Sequence, residues 1–184
     1  TDAVALIDHP YIYAGNAQQC WADLGAGTGL FSLALASVLP PGSTLHLVDR
    51  ISRQPPAAGA AVQLVWHTAD FERDSPERWN TGPLDGVVMA NSLHYVADKA
   101  GFLSRLASCL VPGGLILLVE YDSDVPVSGW VPYPLSLPRA RDLLAAAGFT
   151  GVERVAGRPS VFGHAPLYSV IGKLAPRRAG GTGF

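Results

Sequence analysis

The chain has 184 residues, 48% of them hydrophobic and 15% charged, with a formal net charge of -2; this is enough for one sizeable core and too short for two ordinary domains. Its 20 Gly and 15 Pro are scattered rather than periodic, which excludes collagen-like and low-complexity classes. Although the mean hydropathy is +0.22, the longest aliphatic run, Leu115 to Val119, is far shorter than the roughly 20 residues that span a bilayer, and a pI near 6.2 gives no global attraction to nucleic acid or to an anionic membrane.

No Lys or Arg occurs before Arg50, so the N-terminus does not read as a secretory signal or a transit peptide, and a cytoplasmic location is expected. Residues 1–19 form a short leading segment. The first apolar run, Cys20 to Leu24, ends in glycines and is followed by a helical stretch from Leu30 to Leu39, apolar on nearly every side. Pro40, Pro41 and Gly42 stop that helix, and Thr44 to Asp49 alternates as a second strand. Pro55 and Pro56 allow only a short or irregular helix over 51–59. Val62 to Trp66 and Leu84 to Ala90 are the third and fourth strands.

Asp98 can cap a helix that places Phe102, Leu103, Leu106, Ala107 and Leu110 on one face. Pro112, Gly113 and Gly114 end it, and Leu115 to Val119 reads as the buried centre of a parallel sheet. A polar and aromatic stretch from Glu120 to Leu135 is too long to be only a connector. Pro138 opens the last clear helix and Gly148 closes it. Two late strands, Gly151 to Val155 and Leu167 to Leu174, are joined too briefly for a helical crossover, so an antiparallel pair is expected. Cys20 and Cys109 lie far apart in apolar stretches, as reduced, buried thiols do.

The chemistry concentrates where the first strand turns into the first helix, at Asp23-Leu-Gly-Ala-Gly-Thr-Gly29. Glycines there allow a tight turn and let backbone N–H groups approach a ligand. A dinucleotide fingerprint would need glycine where Leu30 stands, and no Lys follows for a phosphate loop. Asp49, 20 residues past Gly29, ends the second strand where a carboxylate can accept ribose hydroxyls. Asp70 and Phe71 follow the third strand, suited to an exocyclic amine and an adenine face. Asn91 follows the fourth. These loops all leave the carboxyl edge of the expected sheet, where open α/β sheets bind ligands.

In this order the residues resemble a class I S-adenosylmethionine-dependent methyltransferase of the Rossmann-like superfamily. The resemblance rests on Asp23 to Gly29, Leu47-Val-Asp49, Ala69-Asp-Phe71, Leu84 to His94, and Leu110-Val-Pro-Gly-Gly114, and spans Cys20 to Leu174. It implies an α/β three-layer sandwich with a mostly parallel seven-stranded sheet and an antiparallel last strand. The binding domain would run over 20–175, followed by a flexible tail over 176–184. S-adenosyl-L-methionine would donate its methyl group by in-line displacement, leaving S-adenosyl-L-homocysteine. Asp23 with Gly25, Ala26, Gly27 and Gly29 would hold the methionine part, Asp49 with Arg50 the ribose, and Asp70 with Phe71 the adenine. Asn91 and Ser92 would line the cofactor.

A sulfonium methyl is already activated, so transfer needs mainly alignment in a dry pocket. Where the acceptor is a hydroxyl, phenol or amine, His94 is the best placed base. Tyr95 could orient it, and Tyr121, Trp130, Tyr133, Tyr11 and Tyr13 are candidate walls for a small, partly apolar acceptor. No metal is expected: Glu120, Asp122 and Asp124 could be considered for magnesium, but that ion needs an octahedral oxygen geometry which three alternating acids do not establish. The run Asn91-Ser-Leu-His94 lacks the paired prolines of enzymes acting on amide or base nitrogens, and no basic appendage suits a nucleic acid. The short segment before Cys20 is expected to be a partial lid at most: the lid is reduced, missing from this sequence, or supplied by a homodimer mate or a partner chain. That thin cap also motivates the alternative of a catalytically silent cofactor-binding or scaffold subunit with the same fold.

Overall fold

The computed structural model describes residues 2–14, 17–57, 59, 61–74, 79, 81–160 and 165–176. In chain order its elements are α1 (Asp2–Ala5), α2 (Pro10–Tyr13), β1 (Cys20–Leu24), α3 (Leu30–Ala36), β2 (Thr44–Asp49), β3 (Gln63–Thr68), β4 (Leu84–Ala90), α4 (Lys99–Ser108), β5 (Leu110–Tyr121), α5 (Leu137–Ala146), β6 (Phe149–Arg158) and β7 (Leu167–Leu174). The seven strands form one sheet in the order β3-β2-β1-β4-β5-β7-β6. Pairing is parallel from β3 through β5, and β7 runs antiparallel to both β5 and β6.

The strands are apolar on both faces because helices cover both. Along β5, Leu115, Leu117 and Val119 join a cluster with Ile7, Ile12, Trp21 and Leu35, whereas Ile116 and Leu118 join Phe102, Leu103 and Leu144. This period of two divides the core into two layers around the sheet. The leading segment belongs to the first layer: Ala3, Leu6, Ile7 and Ile12 are buried there. It covers a sheet face, and its first described residue reaches the carboxyl edge, where Asp2 pairs with Arg158 at the end of β6 at 2.9 Å.

Three local expectations change. Strand β5 starts at Leu110, well before Leu115, because Pro112 and Gly113 form an irregularity inside the strand rather than a break. Gly113 has a φ of 82°, and the pairing with β4 jumps from Leu84↔Leu110 to Gly86↔Leu115, as a bulge does where proline removes a ladder donor. No helix forms among the described residues of 51–59; Pro56 instead packs on Gly29. The two cysteines carry free thiols but are only half-buried. Past Pro176, the expected tail lies outside the described residues. No helix among these residues is long and apolar enough to cross a membrane.

Gly86 shows how tightly the layers close. A Cβ there would lie 2.5 Å from the ring of Trp21, which is fully buried and fixed by its indole N–H donating to Gln19 Oε1 at 2.7 Å. Gly86→Ala should therefore lower stability by about 1–3 kcal/mol through overpacking. Gly59→Ala, with open space around its Cβ, should stay within about 0.5 kcal/mol. Urea denaturation of both variants checks the contrast.

Candidate functional site

The loop from β1 to α3 is held in a conformation that only glycine adopts without strain. Gly25, Gly27 and Gly29 have φ of 84°, 57° and 83°, all in the left-handed region. A Cβ on Gly25 would sit 2.5 Å from Ser92 Cβ, so the missing side chain lets the end of β4 approach the end of β1. Ser92 completes that junction by donating its hydroxyl to Leu24 O at 2.5 Å. Above Gly27 the space is open, with only Gly25 O at 3.9 Å from a built Cβ. The loop backbone therefore forms an open cradle at the carboxyl edge of the sheet.

Three carboxylates surround the cradle, each in a different state. Asp49 accepts the Gly27 N–H with Oδ2 and the Ile51 N–H with Oδ1, both at 2.9 Å, so it fixes the loop and keeps free lone pairs for a ligand hydroxyl. Asp23 is buried under the loop and accepts the Ser32 hydroxyl at 2.5 Å. Burial pushes its carboxyl up to about 7, with Asp49 adding to the rise and the Ser32 hydrogen bond opposing it. Asp70 is already engaged: Arg50 lies 3.0 Å away, Arg73 lies 3.7 Å away, and the Glu72 N–H donates to Asp70 Oδ1 at 3.1 Å. Phe71 stands beside it, close to Gly25 and edge-on to Phe102 at 5.9 Å. Asn91 adopts a φ of 53°, and its Oδ1 is buried with no hydrogen-bond partner among the described residues.

Beyond Asn91, a short 3-10 turn over Leu93–Tyr95 turns His94 inward. Its Nδ1 lies 2.7 Å from Glu120 Oε2 and its backbone N–H donates to Glu120 Oε1 at 3.2 Å. Both side chains are at most 2% exposed. A carboxylate at Nδ1 selects the tautomer with the proton there, leaving a lone pair on Nε2, which is buried and has no partner among the described residues. Tyr95 packs on the His94 ring at 4.4 Å, and the Tyr133 N–H donates to His94 O at 3.0 Å. Glu120 was legible in the sequence only as one of three alternating acids; a lone acid ending an aliphatic strand was the signal for a buried partner. The other two acids go elsewhere, Asp122 to the Leu137 N–H and Asp124 to Arg139. Among the described residues, no cluster of three or more His, Cys, Asp or Glu is arranged to hold a metal.

The aromatic walls separate into groups. Tyr121 is buried and packs on Trp130 at 5.4 Å, beside a cavity of about 210 Å³ also lined by Val125, Val127 and Val131. Tyr95 and Tyr133 are exposed near His94. Tyr11 is not brought to this edge: it lines a depression with Gln19, Asp85 and Gly113 at the opposite end of the strands, and its hydroxyl donates to Glu153 at 2.7 Å. Tyr13 donates to Asp8 within the leading segment, whose apolar side is committed to the sheet.

The profile of the methyltransferase domain family matches residues 8–163. The chain belongs to that family. An uncharacterized methyltransferase of Mycobacterium tuberculosis is 31% identical over 103 residues, which are 56% of this chain and 51% of that protein; the chain thus spans about half the length of the curated relatives it matches. Among solved structures, the Burkholderia thailandensis 1,6-didemethyltoxoflavin-N1-methyltransferase, with bound 1,6-didemethyltoxoflavin and S-adenosylhomocysteine, shares the fold at a TM-score of 0.65 and 21% identity, over 95% of this chain and 80% of that one. Human N-acetylserotonin methyltransferase in complex with SAM does so at 0.63 and 18% identity, over 95% of this chain and 51% of that one. In this methyltransferase domain, the glycine cradle, Asp49 and the β4 end lie together within the matched span.

The raised pKa of Asp23 has a thermodynamic sign. Its carboxyl ionises at about 7 when folded and near the ordinary value of about 3.9 when unfolded. The folded state therefore binds the extra proton, and stability from this group is full below about pH 4 and lost as pH rises to about 7. The loss amounts to a few kcal/mol. Asp23→Asn should flatten the dependence of the urea midpoint on pH between 4 and 7.

Proposed function

We propose that this domain transfers the methyl group of S-adenosylmethionine to a hydroxyl or phenol of a small-molecule acceptor, with His94 removing the proton. The observation that carries the reading is the buried, unpartnered Nε2 of His94, backed by Glu120 at 2.7 Å. An imidazole in that tautomer is a base with its lone pair aimed away from its anchor. The residues at the carboxyl edge suit the methyl donor: open backbone above Gly27, a carboxylate on Asp49 with lone pairs to spare, and an unsatisfied Asn91 Oδ1.

When bound, the donor supplies a methyl group on a sulfonium, already activated for displacement. The glycine loop and Asp23 would receive the methionine portion, with the Asp23 carboxylate opposite its ammonium. Asp49 would accept the ribose hydroxyls. Phe71 would lie against the adenine, while Asp70 would offer an acceptor to its amine and keep the Arg50 pair. His94 Nε2 would take the proton of the acceptor hydroxyl as its oxygen receives the methyl group. Glu120 then carries the counter-charge of the imidazolium. Tyr95 and Tyr133 border the approach and limit water.

A strut is the competing reading of the same pair, because Glu120 also accepts the His94 amide. It would make this a silent subunit that binds the donor without turnover. The experiment is an acceptor screen of phenols and alcohols followed by S-adenosylhomocysteine release, with calorimetry of donor binding in parallel. His94→Gln should lower kcat by about 10²–10⁴-fold and leave donor affinity within a few-fold. Glu120→Gln, acting through His94, should shift the pH profile of kcat. Donor binding with no turnover across the panel favours the strut; a His94→Gln variant at wild-type rate removes the base.

A further inference from the structure

We propose that the cleft between the start of α4 and the start of α5 is a subsite for an anionic group, a carboxylate or phosphate, held by Lys99 and Arg139 beside the Tyr133 ring. The cleft has a volume of about 420 Å³ and is lined by these three residues together with Asp98, Asp124 and prolines of the 122–136 loop. It adjoins His94 through the hydrogen bond from the Tyr133 N–H to His94 O. That the anion belongs to the methyl acceptor rests on the function proposed above; that the cleft holds an anion does not.

The argument begins with Lys99, an ammonium that is only 8% exposed. Burial of a cation is costly unless it is paired and hydrogen-bonded. Here Nζ donates to Val96 O at 2.8 Å and lies 5.5 Å from the centre of the Tyr133 ring; among the described residues no carboxylate forms an ion pair with it. The two acids of the cleft are committed. Asp98 caps α4 by accepting the Gly101 N–H at 2.9 Å, and Asp124 pairs with Arg139 Nη1 at 3.0 Å and accepts the Ser136 N–H. An ammonium has three donors and a guanidinium five, so most of the donors in this cleft are left over.

Arg139 and Lys99 are close enough to repel. Burial lowers the Lys99 ammonium to about 8, Arg139 pushes it further down, and Glu120 and Glu72 pull it back up. Lys99 therefore remains charged at neutral pH, with a second cation beside it; Glu120 and Glu72 act on it from a distance, and among the described residues no contacting counter-charge reaches it. A ligand anion would supply that counter-charge and relieve the repulsion. The planar ring and prolines suit the apolar body attached to such a group.

The test uses benzoate, phenyl phosphate and the neutral benzyl alcohol as probes, followed by backbone amide shifts in ¹⁵N-labelled protein. One of the two anions should shift the amides of Lys99, Ala100 and Tyr133 saturably, and benzyl alcohol at the same concentration should not. The tighter anion distinguishes carboxylate from phosphate. Lys99→Met should raise its dissociation constant at least tenfold, and Arg139→Gln, at an exposed position that folding tolerates, about threefold or more. Saturable shifts from neither anion, or a Lys99→Met variant that binds as the wild type does, would overturn the subsite. Calorimetry with S-adenosylhomocysteine on the same protein separates the two readings. Anion binding without any cofactor binding overturns the methyltransferase function and leaves the anion cleft standing.

Discussion

Strands β1 and β4 can end side by side because residue 25 has no side chain. Any Cβ at that position would occupy the space of Ser92 Cβ, 2.5 Å away, and a left-handed φ would strain it further. With glycine there, the Ser92 hydroxyl reaches Leu24 O and the two loops that leave these strands share one junction. The rest of the site follows from that contact. The backbone of the 25–29 loop faces outward, where Asp49 anchors Gly27. The chain after Ser92 is sent down into the turn that buries His94 against Glu120.

Ionisable groups that are costly to bury collect at this same edge. Asp23, His94, Glu120 and Lys99 are each less than 9% exposed, although the whole chain is only 15% charged. Away from this edge most of the core is apolar, and the buried His46 is neutral, lowered to about 4 by burial and by its neighbour His67, which it meets at 2.8 Å. A buried imidazole hydrogen-bonded to a half-buried one across β2 and β3 is an ordinary solution to the polar-burial problem. Asp23 and Lys99 are not solved so fully, since burial raises the carboxyl of one to about 7 and the other has no carboxylate ion pair among the described residues. Groups left in that condition beside a cleft point to function more strongly than groups that satisfy one another.

Much of the fold was legible because its signals are local. Leu84–Ala90 and Leu167–Leu174 have the expected bounds, since Gly82 and Pro83 open the one and Pro166 and Pro176 flank the other. Asp98 caps α4 as its side chain predicts. Strand β5 was legible only in its second half, because a proline and two glycines look alike whether they end an element or kink it. The partner strand decides between those outcomes, and pairing is not written in any window of residues. The site divides the same way. The glycines, Asp49 and His94 were legible from spacing along the chain, whereas the Glu120 partner of His94, 26 residues away, and the Arg50 partner of Asp70, 20 residues away, depend on which strands lie side by side. Tyr11 was placed with the aromatic walls by residue type alone; the apolar side of its own segment, through Ile7 and Ile12, carries it to a sheet face and Glu153.

The leading segment is spent mainly on a sheet face. Its buried residues, Ala3, Leu6, Ile7 and Ile12, join the layer that contains Trp21 and Leu35, while Asp2 reaches the carboxyl edge, at Arg158. Exposed apolar side chains are accordingly found around the opening, at Leu30, Ile51, Tyr95, Val125 and Tyr133. These belong to four different connections, and no helix packing accounts for all of them together. A bound adenosine moiety and a partly apolar acceptor would cover just such a rim, with Ile51 and Leu30 flanking the glycine cradle and Tyr95 and Tyr133 flanking His94. The open edge and the apolar composition then have one cause. A core this completely covered by its own helices exposes hydrophobic groups chiefly where a ligand is to provide the missing contact.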